Sequence, residues 1–210
     1  MSKDNMHKHK LSHIEGLSKQ MKLTATWEDL NFSQETITQL REICSQFKQI
    51  KSISRERGFG KNLFKDKGLI AIFSGPSDTD KTMAAEVISK ELALDLIKIN
   101  LSSVVSKYIG ETEKNLAKLF DKAEREHSIL FFDEVDTLFE KRTELKDEHD
   151  RYANLEISYL LQRIEKYSGV VLLALNFKEN IDPAFLRRIP HILEFQLHSE
   201  KENTSSNNEA

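Results

Sequence analysis

The chain has a single cysteine, Cys44, so no intrachain disulfide can form and no metal site can be built on thiolates. That scarcity fits a reducing compartment, and the spacing of Cys44 from Ile37, Leu40 and Phe47 reads as ordinary helix packing. An excess of one charge is lacking too. With 31 basic against 34 acidic residues the net charge is -3, which gives no global pull toward nucleic acid or an anionic membrane. No apolar run reaches the length of a signal-peptide core or a membrane span, so a soluble, cytoplasmic protein is expected. His7, His9 and His13 have no cysteine or carboxylate cluster beside them to complete a metal site, and read as a flexible tail. The one local concentration of positive charge, Lys48 to Lys67, holds seven basic and two acidic residues. It reads first as a solvated face and second as a surface that steers phosphate.

What is present is enough for one core: 210 residues, 39% of them apolar. Residues 1–23 and 198–210 are polar and aperiodic and are expected to be flexible, leaving 24–197 as one domain. Ser33 can cap a helix in which Ile37, Leu40, Cys44 and Phe47 form a stripe. "LIAIF" (69–73), bounded by glycines, suits a parallel strand covered on both faces. The pattern then repeats: helix 82–92, strand 94–101, helix 112–123, strand 128–132, a helix carrying Ile157, Leu160, Leu161 and Ile164, strand 169–175, a short helix 183–188, and a last strand from His191. Alternation of this kind predicts an α/β fold, a three-layer α-β-α sandwich around a five-stranded parallel sheet. Ligands bind such sheets at the carboxyl ends of the strands, where "FSG", "FFDE" and "ALN" emerge.

Between the first of these strands and its helix lies "GPSDTDKT": Gly75, Pro76, Ser77, Asp78, Thr79, Asp80, Lys81 and Thr82. A phosphate loop G-x-x-x-x-G-K-[ST] uses glycines to point backbone N–H groups inward, a lysine to reach the β/γ-phosphates and a hydroxyl to ligate magnesium. Gly75, Lys81 and Thr82 fit that pattern; Asp80 breaks it. About fifty residues on, "ILFFDEVD" ends a buried strand with Asp133, suited to holding Mg2+, and Glu134, suited to polarising an attacking water.

With these motifs the chain, from about Thr24 to Leu197, resembles the nucleotide-binding domain of AAA+ ATPases. "GPSDTDKT" corresponds to Walker A, "LFFDEVD" to Walker B, and "ALNFKENIDPAFLRRI" to the stretch from sensor 1 to the arginine finger. "SSVVSKYIGETEKNL" and "KRTELKDEHDRYANLE" look most like ATPases that accompany phage-tail-like contractile injection systems. The resemblance implies a P-loop NTPase fold with ATP and Mg2+ as cofactors, the metal held by Thr82 and Asp133. It also implies Glu134 as general base, Asn176 as sensor 1, and Arg187 and Arg188 as the finger that reaches a neighbouring subunit's nucleotide. A homo-oligomer or mixed ring acting on a protein partner follows, with Tyr108 in a loop that grips threaded polypeptide and with no role for nucleic acid or membrane.

Two departures bear on activity. That family has glycine where this chain has Asp78 and Asp80, and a carboxylate about 5 Å from a phosphate charge costs about 3 kcal/mol per pair at an effective dielectric of about 20. A side chain at position 80 also intrudes where backbone should approach phosphate. One or other aspartate could pair with Lys81 and fill the loop from within. Only a polar tail follows Leu197, so the small helical lid of that family is expected to be absent. Two readings stand: an AAA+ ATPase of impaired activity that remodels a protein partner, and a catalytically dead relative serving as a structural subunit. Nucleic-acid binding through Lys48 to Lys67 ranks below both.

Overall fold

Side chains along an extended apolar run alternate between two faces, so a run that is apolar throughout needs cover on both. The computed structural model describes residues 18–56, 68–77, 79–101, 111–136, 158–176, 181 and 183–196. The strands among them are β1 (Ser18–Gln20), β2 (Leu69–Ser74), β3 (Leu96–Asn100), β4 (Ile129–Asp133), β5 (Val170–Leu175) and β6 (His191–Glu194). The helices are α1 (Gln34–Glu56), α2 (Lys81–Leu92), α3 (Glu111–Glu126), α4 (158–166) and α5 (Pro183–Leu186). These form one six-stranded sheet of order β1-β3-β4-β5-β2-β6.

The alternation divides the core into two layers. Ile72, Ile99, Phe132, Val171 and Leu173 pack with Leu116, Leu119, Phe120 and Ala123 of α3 and with Leu160 and Ile164 of α4. Ala71, Phe73, Phe131, Leu172 and Ala174 pack on the opposite side, against Leu40, Ile43, Cys44 and Phe47 of α1 and Ala84, Ala85 and Ile88 of α2. The α-β-α sandwich read from the sequence is therefore the observed architecture, with β2 to β6 as its five parallel strands. Ser33 caps α1 as expected, its Oγ accepting the Thr36 N–H at 3.1 Å. α2 ends on Ala93, whose left-handed φ of 52° lets its N–H reach the carbonyls of Ser89 and Lys90.

One element departs from the sequence reading. Ser18–Gln20 fall in the stretch expected to be flexible, yet they add a sixth strand antiparallel to β3, with Lys19 opposite Lys98. Three polar residues carry no apolar alternation, and the pairing is made through backbone amides alone. Ile157, Tyr108, Asp78, the charged loop 141–151 and the tails beyond 18 and 196 lie outside the described residues. Among those described, no helix is long and apolar enough to cross a membrane.

Cys44 is buried between α1 and α2, and burial, with Glu91 nearby, pushes its thiol up to about 12. A thiol so far from ionising is inert. A disulfide-exchange reagent is therefore expected to leave native protein unlabelled while the denatured chain reacts fully; rapid stoichiometric labelling under native conditions would contradict this packing.

Candidate functional site

Parallel pairing brings the strand ends to one edge: Ser74 lies opposite Leu175, and Asn100 opposite Asp133. The chain turns into its loop at Gly75, whose N–H donates to Leu175 O at 3.1 Å. A Cβ at this position would sit 2.2 Å from the backbone oxygen of Phe195, so only glycine permits the loop to leave the sheet here. The loop is then closed by Thr79 N–H to Pro76 O at 3.1 Å and Lys81 N–H to Thr79 O at 2.7 Å.

Lys81 points back into this loop and is only 5% exposed. Its ammonium donates to Gly75 O at 2.5 Å, Pro76 O at 2.7 Å and Thr79 Oγ1 at 3.1 Å. Among the described residues, the loop is thus filled from within by its own carbonyls and hydroxyl; a pairing of Lys81 with Asp78 lies outside them. Asp80 is exposed, with an ordinary φ of -74°, and its carboxylate makes no capping bond to α2. The position therefore imposes no left-handed backbone.

Lys98 was not singled out in the sequence, where it is one lysine in an apolar strand. Its Nζ lies 2.6 Å from Asp133 Oδ2 and 3.3 Å from Thr82 Oγ1, so it bridges the two residues expected to hold Mg2+. Asp133 Oδ1 accepts the Glu134 N–H at 3.1 Å. Glu134 itself is exposed and has φ 55°, a left-handed conformation costing a non-glycine residue about 1 kcal/mol or more.

Asn176 stands beside the loop, its Oδ1 accepting a hydrogen bond from Ser77 Oγ at 3.2 Å. Its N–H donates to Asp136 Oδ2 at 3.2 Å. Asp136, 3% exposed, is a second residue without an assigned role in the sequence reading, although it closes the motif "DEVD". Arg187 and Arg188 are both exposed, and Arg188 forms a surface ion pair with Glu165 at 2.8 Å. Among the described residues no group of histidine, cysteine and carboxylates could hold a metal.

An open cleft of about 830 Å³ runs from Ser77, Thr79, Asp80 and Thr82 to Thr24 and Ala25, with Asp29 and Glu86 also on its wall. Glu86 fixes its far side by accepting the N–H groups of Thr24 and Ala25 at 3.3 and 3.4 Å. The carboxylates thus line the cleft while the lysines are committed inside it. A divalent ion on Thr82 and Asp133 needs the oxygens Lys98 bridges, and a triphosphate needs the ammonium its own loop holds. As arranged, these residues do not fit a magnesium–nucleotide complex.

Comparison with known proteins agrees with the fold. The family model described as "ATPase family associated with various cellular activities (AAA)" matches residues 71–197. The uncharacterized AAA family ATPase y4kL of Sinorhizobium fredii is 34% identical over 126 residues, 59% of this chain and 38% of the relative. Proteasome-activating nucleotidase 1 of Haloferax volcanii is 28% identical over 199 residues, 86% of this chain and 48% of the relative. Among solved structures, the crystal structure of the FIGL-1 AAA domain matches with a TM-score of 0.65 at 25% identity, covering 90% of this chain and 61% of that one. The chain thus spans less than half the length of these curated relatives.

Replacing Asp136 with alanine leaves the part-buried Asn176 N–H without its acceptor, a loss worth about 1–3 kcal/mol. Thermal denaturation should show Asp136→Ala clearly below wild type and Asp136→Asn, whose amide oxygen still accepts, close to it. Equal melting of all three proteins would remove this contact from the site.

Proposed function

The chain belongs to the AAA family of ATPases, and from that premise we propose that it is the nucleotide-site domain of a protein-remodelling assembly whose own ATP binding and hydrolysis are impaired. The observation that carries this reading is the Lys81 ammonium, held by Gly75 O and Pro76 O while the Asp80 carboxylate faces the cleft. In a working phosphate loop that ammonium meets the β/γ-phosphates. Here an entering triphosphate must first break the hydrogen bonds that hold this ammonium and then lie beside a carboxylate.

In this reading Gly75 to Thr82 are the remnant of the phosphate loop. Asp133 and Thr82 are the inherited magnesium ligands, Glu134 the inherited base and Asn176 the residue that would orient water. Of the two arginines, Arg187 is the better placed for a neighbouring subunit's nucleotide, because Arg188 is engaged with Glu165. The partner is a protein: one relative is named a proteasome-activating nucleotidase. The stretch "SSVVSKYIGETEKNL" supports, more finely, a contractile injection system as its setting. A homo-oligomer or a ring shared with an intact subunit belongs to the same proposal. The bridge from Lys98 to Asp133 favours a second form of it, a purely structural subunit that binds no nucleotide.

Titration calorimetry with ATP separates the readings. The chain as it stands is expected to bind weakly or undetectably. Asp78→Gly with Asp80→Gly is expected to gain roughly tenfold or more, which corresponds to about 1.4 kcal/mol. Micromolar affinity in the unmodified protein would overturn the impairment; no gain in the double variant would favour the structural subunit.

A further inference from the structure

We propose that Lys98 is a resident cation that excludes divalent metal from Thr82 and Asp133, so that anything anionic entering this site meets a fixed ammonium in place of a magnesium ion. The inference rests on the reading above only in taking Thr82 and Asp133 as an inherited metal pair.

The geometry comes from the sheet. β3 and β4 pair in parallel with Lys98 opposite Phe131, two residues before the strand ends. From there the side chain reaches past Phe131, its Nζ 5.6 Å from the ring centroid, to the strand tip. Its ammonium touches Asp133 Oδ2 at 2.6 Å and Thr82 Oγ1 at 3.3 Å. Lys98 and Asp133 side chains are 29% and 25% exposed, so water screens the pair only in part.

Magnesium binds oxygen ligands at about 2.0–2.1 Å in a near-ideal octahedron. An ion bound to both of these oxygens would share their immediate surroundings with an ammonium, two cations competing for one carboxylate. Either the ion stays out or the lysine must leave its carboxylate and its ring. With the second Asp133 oxygen already accepting the Glu134 N–H, the carboxylate is satisfied without metal. A lysine, unlike a bound ion, cannot dissociate, so the site's positive charge does not vary with magnesium concentration.

The test uses Mn2+ alone as a paramagnetic probe, read in amide NMR spectra of the whole chain without nucleotide. Wild type is expected to show no broadening centred on Thr82 and Asp133 at millimolar Mn2+. Lys98→Met, which keeps the stem and removes the charge, is expected to show it. Lys98→Arg should exclude the ion as wild type does, which separates charge from general loosening of the site. Lys98→Gln replaces the methionine variant if that one is not folded. Localised broadening in wild type overturns the proposal, and so does its absence in a folded, uncharged variant. ATP titrated with and without Mg2+ is measured separately: tight binding to wild type would defeat the impaired-site reading while leaving the Mn2+ result intact.

Discussion

The position of every group in the site follows from one constraint, the register of parallel strands that are buried on both faces. β5 is buried along its whole length, and β2 and β4 nearly so. A slip of one residue would exchange the two sets of side chains and set Ile72 and Phe132 against α1 and α2, and Phe73 and Phe131 against α3. Locked against that slip, the sheet ends Asp133, Asn176 and Gly75 at one edge. Lys98 then acts over a short reach because the same register holds β3 beside β4. The chemistry at the strand tips is therefore a by-product of how tightly apolar residues fill the layers beneath them.

Charge in this site is arranged inside out. A polyanion site usually presents cations to the solvent and keeps its carboxylates on metal. Here the two ammonium groups are satisfied by the protein, and Asp29, Asp80 and Glu86 border the open cleft. The buried Lys81 ammonium has acceptors within its own loop and so has little to gain by turning outward. In the impaired site proposed above, a phosphate-bearing ligand has to select another loop conformation, and its apparent affinity falls with the population of that conformation.

The layered fold was legible because "LIAIF", "SILFF" and "GVVLLAL" are apolar without interruption, as strands covered on both faces must be. The loop was legible because glycine, lysine and threonine fall between a strand and a helix. β1 was hidden, since Ser18, Lys19 and Gln20 join the sheet through backbone groups that every residue possesses. An inward Lys81 was anticipated through a paired aspartate, whereas its described acceptors include two main-chain carbonyls, which no residue pattern announces. Lys98 carried a faint signal as a charge within an apolar strand. Its two partners lie on α2 and β4, and no local pattern connects them.

The contact between Gly75 and Phe195 couples the last strand to the loop. Phe195 donates its N–H to Ser74 O at 2.7 Å, and its own oxygen covers the glycine. A displacement of the chain at Phe195 is therefore passed on to the first turn of the loop, because so close a contact has no slack to absorb it.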